Sequence, residues 1–236
     1  MRTFHHHVGE IHADRGIYCD QAFELALDRE AISQVVSNGE FMPGNQWVSP
    51  QNPMYQASVP IPKRDVAKAK ALLAEAGVKT PYALELMVPN NPETRQLAEV
   101  IQAMTKEAGF DVKIRITEFA TSLNTAEKGD FDAYLLAWSG RTDPDGNLYS
   151  FHSCKGPLNY GKFCDPAIDA LLDKSREISD PAERKKVFEQ IAAKTIREGS
   201  ILYLYHRKYF FPHTTKLAGF KPMPDGLLRV VGLKLQ

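Results

Sequence analysis

The chain has 236 residues, 43% of them hydrophobic, enough to bury one large core or two smaller ones. Its 29 basic residues balance 29 acidic ones, so no net field draws in nucleic acid or an anionic membrane surface. No apolar run approaches the ~18 residues needed to cross a bilayer, and the opening "MRTFHHHVGEIHADRG" lacks the apolar segment of a secretory leader.

His5, His6 and His7 are adjacent, and three neighbouring imidazoles cannot all reach one metal ion well. "DQAFELALDREAISQVVSNGE" carries Ala22, Phe23, Ala26, Leu27, Ile32, Val35 and Val36 mostly at helical spacing, with Gly39 suited to a left-handed stop. "FMPGNQWVSPQNPMYQASVPIPKR" has no period and is long for a loop, so it should pack over a surface or line a site. Asp65 caps a helix whose Val66, Ala69, Leu72, Leu73 and Ala76 share one face.

"YALELMVP" reads as a strand, Asn91 and Pro92 open a helix ending at Gly109, and "DVKIRITEF" alternates Val112, Ile114 and Ile116 inward. This is a βαβ unit. A polar helical stretch to Lys128 leads into "FDAYLLAW", a near-continuous apolar strand. Asp165–Pro166 and Asp180–Pro181 start two further helices, the second with Glu183 placed for reciprocal capping. "SILYLYHRKYFF" is a hairpin or a bent strand, and "DGLLRVVGLKLQ" is strand-prone. The class is α/β with a mixed β-sheet flanked by helices.

Enzyme signatures are absent from the sequence. There is no G-x-G-x-x-G after a strand, no G-x-x-x-x-G-K-[ST] and no G-x-S-x-G. Cys19 heads a helix, yet no base can be assigned to it. The spacing of Cys154 and Cys164 does not suit zinc, leaving two buried thiols or a disulfide, and the disulfide is favoured. The stretch "LAWSGRTDPDGNLYSFHSC" is the most unusual. Asp143 and Asp145 flank Pro144 on a turn that lacks the further oxygen ligands calcium needs. Asp145 reads as a turn cap; Asp143 follows a strand end, where α/β sheets bind ligands. Trp138 is either core or a stacking surface, and Arg141 is a solvated charge, a partner of Asp143 or a carboxylate clamp.

"QAFELALDREAISQVV", "KAKALLAEAG", "LAWSGRTDPDGNLYSFHSC", "NYGKFCDPAIDALLDKSR" and "LYHRKYFF" resemble the family 5 extracellular solute-binding proteins, the periplasmic dipeptide- and oligopeptide-binding components of ABC transporters. The resemblance runs from about Gln21 to Gln236. It implies the C-terminal lobe of a type II periplasmic binding protein: residues 1–20 as an atypical lead-in, 21–205 as the substrate-binding lobe, and 206–236 as a return segment packing toward an N-terminal lobe. On this reading that lobe and the signal sequence are absent from the chain, a truncated fragment.

The resemblance further implies a periplasmic setting, a small peptide or similar zwitterionic solute, permease subunits as partners of the full-length protein, and no cofactor. By the same resemblance Asp143 meets the ligand's ammonium group, Trp138 stands at the cleft, and Cys154 pairs with Cys164. Arg141 and Gly146 are less general in the family, and Asn159 and Tyr160 join the ligand-binding set inside the cysteine loop. Apolar side chains should be exposed where a partner lobe would sit, and the tail from Leu217 onward is expected to be free to self-associate. One rival is a nickel-chelate or glutathione-like receptor of the same fold, with Arg141 and His152 or His206 holding the chelator. A rival of another class is a hydrolase using Asp143 and Asp145 as paired carboxylates.

Overall fold

Helices begin where short polar side chains can accept the first free backbone N–H groups. The computed structural model describes residues 3–6, 10–11, 17–198, 201–223 and 227–236. Its helices are α1 (Ile17–Leu25), α2 (Arg29–Ser37), α3 (Val66–Glu75), α4 (Pro92–Glu107), α5 (Phe119–Glu127), α6 (Asp145–His152), α7 (Pro166–Glu177) and α8 (Pro181–Glu198). Asp65, Asn91 and Asp165 cap α3, α4 and α7 as their positions predict. Asp180 accepts from the Glu183 N–H at 2.9 Å at the head of α8. The Glu183 carboxylate does not reach back; it pairs with Lys186 at 2.7 Å.

The first periodic stretch forms two helices where its period suggests one. The α1 carbonyls of Leu25 and Ala26 accept from the Asp65 N–H (2.8 Å) and the Arg64 side chain (2.9 Å), which ends the helix against the α3 approach. Asp28 then caps α2 through the Ala31 N–H. Asn38, in the left-handed region at φ 54°, closes α2, and Gly39 follows at φ 79°.

The strands are β1 (Thr3–His6), β2 (Glu10–Ile11), β3 (Met42–Pro43), β4 (Tyr82–Pro89), β5 (Phe110–Thr117), β6 (Ala133–Tyr134), β7 (Tyr205–Lys208), β8 (Leu217–Ala218) and β9 (Lys234–Leu235). One sheet has the order β2-β6-β4-β5. β4 is parallel to both β5 and β6, and β2 is antiparallel to β6, so the sheet is mixed as expected. The β4-α4-β5 unit runs in continuous register from Tyr82↔Phe110 to Pro89↔Thr117. The expected long strand at β6 shrinks to two residues, although its flanks Phe131 and Leu135 stay buried. Ile116 departs from the inward alternation, because β5 is an edge strand and burial fades toward its C-terminal end.

A second sheet sets β7 between β1 and β3, both antiparallel to it. Of the hairpin or bent strand expected at "SILYLYHRKYFF", no hairpin forms: the segment is extended chain leading into a central strand, and a boundary after residue 205 falls inside β7. The backbones of His5 and His6 belong to β1, and His7 lies outside the described residues. The tail pairs with itself, β8 against β9, and leaves Leu227, Leu228 and Val231 exposed, the last at 94%.

Two large apolar clusters form the interior. One gathers α1 to α4 over the β4–β5 sheet; the other gathers Trp47 and Val48 from the unpatterned loop with α6, α7 and α8. Residues 201–205 serve both. Leu202, Leu204 and Tyr205 face the first cluster, while Ile201 and Tyr203 face the second. Ile201 to Leu204 follow the two-residue alternation of extended chain, and Tyr205 breaks it.

Arg29 pins that segment. Its guanidinium is buried, its Nε–H is shared between the carbonyls of Gly44 (3.1 Å) and Tyr203 (2.8 Å), and its Nη2 pairs with Glu24 at 2.6 Å. Truncating one partner of such a buried group strands the others without solvent. Arg29→Ala is expected to cost about 3–5 kcal/mol in urea unfolding. A loss under about 1 kcal/mol would remove Arg29 from this role.

Candidate functional site

Because β4, β5 and β6 run parallel, their C-terminal ends share one edge of the sheet, the edge at which open α/β sheets seat ligands. Leu135 still donates its N–H to Met87, and then the chain turns outward through residues 136–144 before entering α6. Ser139, Arg141, Thr142 and Asp143 are exposed there, while Gly140 and Pro144 are buried beneath them.

Asn147, on α6 and fully buried, holds this stretch in shape. Its Oδ1 accepts from the Arg141 N–H (2.6 Å) and from the Trp138 indole Nε1–H (3.1 Å), and its Nδ2 donates to the Arg141 carbonyl at 2.8 Å. A buried amide with these partners avoids the desolvation penalty of an unpaired one and gains directional control over the loop. Local sequence offers no sign of this, since an asparagine after "DPDG" reads as one more turn residue.

Trp138 is half-buried against the second core. The indole packs edge-on against Phe151 with centroids 5.1 Å apart, and the Arg141 guanidinium lies 4.6 Å from the indole centroid. Arg141 Nη1 also donates to Ser139 Oγ (2.9 Å) and to the Gly140 carbonyl (2.8 Å).

Asp143 is not the free carboxylate that an incoming ammonium would need. Arg184 of α8 meets both its oxygens, at 2.5 and 2.9 Å, and Oδ1 also accepts the Asp145 N–H. The Arg184 hydrogen bond holds the Asp143 carboxyl below the usual carboxylate range. Asp145 is held likewise by Arg176 of α7, at 2.7 and 3.1 Å, with that guanidinium 3.3 Å from the Tyr149 ring centroid. The partner considered for Asp143, Arg141, is not the one it takes.

Cys154 and Cys164 form a disulfide. Within its loop Asn159 and Tyr160 were expected to face the ligand; both are buried. Asn159 donates to the carbonyls of Ser153 (3.0 Å) and Phe163 (2.7 Å), and Tyr160 packs with Met87, Phe131 and Tyr134. Asn159 thus ties the loop to itself, and Tyr160 anchors it to the β4 and β6 side of the sheet. Cys19 is buried in the first core.

The two histidines offered to a chelator do not reach the surface. His152 and His206 are both buried at 1% exposure, and His152 Nε2 shares a hydrogen bond with the Tyr203 hydroxyl at 2.7 Å. Among the described residues no group of three His, Cys, Asp or Glu side chains is placed to hold a metal ion.

Residues 21–159 match the family described as bacterial extracellular solute-binding proteins, family 5 Middle. The chain belongs to that family. A dipeptide-binding protein of Pseudomonas aeruginosa is 29% identical over 218 residues, which is 86% of this chain and 40% of that protein. HbpA2 from Haemophilus parasuis superposes on the whole chain with TM-score 0.88 and 26% identity, covering 49% of its own length. The oligopeptide-binding protein AppA from Bacillus subtilis, solved with a nonapeptide, gives TM-score 0.81 at 26% identity over 96% of this chain and 49% of that one. The chain thus has the type II periplasmic binding protein fold and spans about two fifths of the length of its curated relatives. Among the described residues no helix is long and apolar enough to cross a membrane.

Burial of His152 in this solute-binding fold has a consequence in acid. Desolvation lowers its pKa from 6.5 to about 4, so the folded protein stays neutral there while the unfolded chain takes up a proton. Stability is therefore complete above about pH 6.5 and falls as pH drops toward about 4, by on the order of 3 kcal/mol. Urea midpoints measured across that range should fall in the parent and stay flatter in His152→Gln; equal slopes would contradict this assignment.

Proposed function

We propose that this chain is the C-terminal, solute-gripping part of the binding component of an ABC import system, working in the periplasm on peptide-like solutes and delivering them to permease subunits. Residues 21–205 act as the substrate-binding lobe, and 206–236 return toward an N-terminal lobe. The support is twofold: membership of the solute-binding family, and the position of the Trp138–Asp143 stretch at the C-terminal edge of parallel strands, where an exposed cation lies over a half-buried indole on a braced loop. The curated P. aeruginosa relative is named for dipeptides, and the B. subtilis structure holds a nonapeptide.

The chemistry is binding without turnover. The two carboxylates that a hydrolase would require are each clamped by an arginine, and Asp143 is driven toward ionisation, away from the raised pKa a general acid needs. Exposed apolar tail side chains such as Leu227, Leu228 and Val231 suit a segment that packs against more protein. Grip by two lobes is what favours closure over the open state, since only differential affinity for the closed form drives it.

Calorimetry with the protein at its full natural length, titrated with mixed di- and tripeptides, glutathione and a nickel–histidine complex, tests this directly. Micromolar or tighter peptide binding is expected, weakened about tenfold in Trp138→Ala, a change of about 1.4 kcal/mol. Binding of the nickel complex or glutathione with no response to peptides would replace the peptide-like solute with the rival one.

A further inference from the structure

The loop that should read the solute's charge has its acidic groups neutralised from within and its one cation left open. Asp143 and Asp145 are each gripped through both oxygens, by Arg184 and Arg176 respectively. Those arginines are themselves fixed. Arg184 donates its Nε–H to the Ser175 carbonyl at 2.8 Å and lies 5.1 Å from the Phe188 ring centroid, and Arg176 lies against Tyr149. Prising Asp143 away for a ligand ammonium would strand a guanidinium already tied into α7 and α8.

Arg141 is the opposite case. It is exposed, it makes no ion pair among the described residues, and only Nη1 of its guanidinium has partners. Those bonds, with the indole face behind it, orient the plane and leave the Nε and Nη2 edge open. That edge is the fork that matches a carboxylate with two parallel hydrogen bonds. The stem is positioned too: a methyl group at Gly146 would stand 2.8 Å from Arg141 Cγ and 2.9 Å from its Cβ, so the glycine makes room for the side chain to lie where it does.

We infer that Arg141, seated on Trp138, is the specificity-determining residue of this wall and takes a carboxylate of the solute, so that the lobe reads a negative group. This rests on the peptide-like reading above and refines it: the group presented to this loop is the carboxyl end of the solute, and Asp143 acts by tying the loop to α8.

The test compares an equimolar dipeptide mixture with free carboxyl termini against the same mixture amidated at those termini, using the protein at its full natural length. In the parent, amidation should weaken binding about 10- to 100-fold, the range for a lost charge-assisted pair. In Arg141→Gln the acid and amide forms should bind alike, and Arg141→Lys should recover part of the preference. A merely structural role for Arg141 would lower both affinities together and leave their ratio unchanged, which overturns the inference. Equal binding of acid and amide by the parent overturns it as well, with the peptide-like reading intact. If neither mixture binds, the peptide-like reading itself falls and carries this inference with it.

Discussion

Two apolar cores in this chain meet along one extended segment, and a buried arginine holds that segment in place. Residues 201–204 send alternate side chains into opposite clusters, so neither cluster can repack without moving a wall of the other. Arg29 sits at the joint, bonded to the carbonyl of Tyr203 and to Gly44, while the Gly44 N–H returns a bond to the Leu204 carbonyl. Placing a charge there is costly, and the two carbonyls and Glu24 offset that cost at Nε and Nη2, while Nη1 is buried with no hydrogen-bond partner among the described residues. The same Tyr203 reaches the other way through its hydroxyl to His152 on α6, the helix that also carries Asn147. A chain of directed bonds thus runs from the start of α2 to the helix that supports the loop.

Placement of the exposed wall follows from the parallel sheet. Strands β4, β5 and β6 bring their C-terminal ends to one edge, and the residues after β6 must pass over it. What turns this passage into a defined surface is a set of contacts across long stretches of sequence: Arg184 with Asp143, Arg176 with Asp145, and Tyr160 of the disulfide loop with Met87. Each arginine also lies against an aromatic ring, Phe188 or Tyr149, so the ion pairs are partly shielded and their geometry is set by packing as well as by charge.

Legibility in the sequence tracked the range of the interactions involved. Asp65, Asn91 with Pro92, and Asp165 with Pro166 act within one helical turn, and their caps stand where the sequence places them. The parallel β4–β5 pair was readable for the same reason: a two-residue period, a helical period, then a two-residue period again. The break between α1 and α2 was not, because apolar spacing runs through it and the partners ending α1, Arg64 and Asp65, come from far along the chain. At the loop, Trp138, Arg141 and Asp143 stood out by type and setting. Which carboxylate was already paired, and that Asn159 and Tyr160 turn inward, depended on α8 and the β6 flank folding against them. Asn147 was invisible, since burial alone distinguishes it from any turn asparagine.

The attachment of Arg141 at its backbone has a consequence for how such a receptor can diverge. Asn147 grips the peptide N–H and C=O of residue 141 and leaves that position's side chain outside its hold. Any replacement there that keeps a backbone N–H inherits the same mounting, so on the proposed reading a single codon change can exchange what the chain admits without reshaping it. Appetite for a new nutrient is, in this architecture, separable from foldedness.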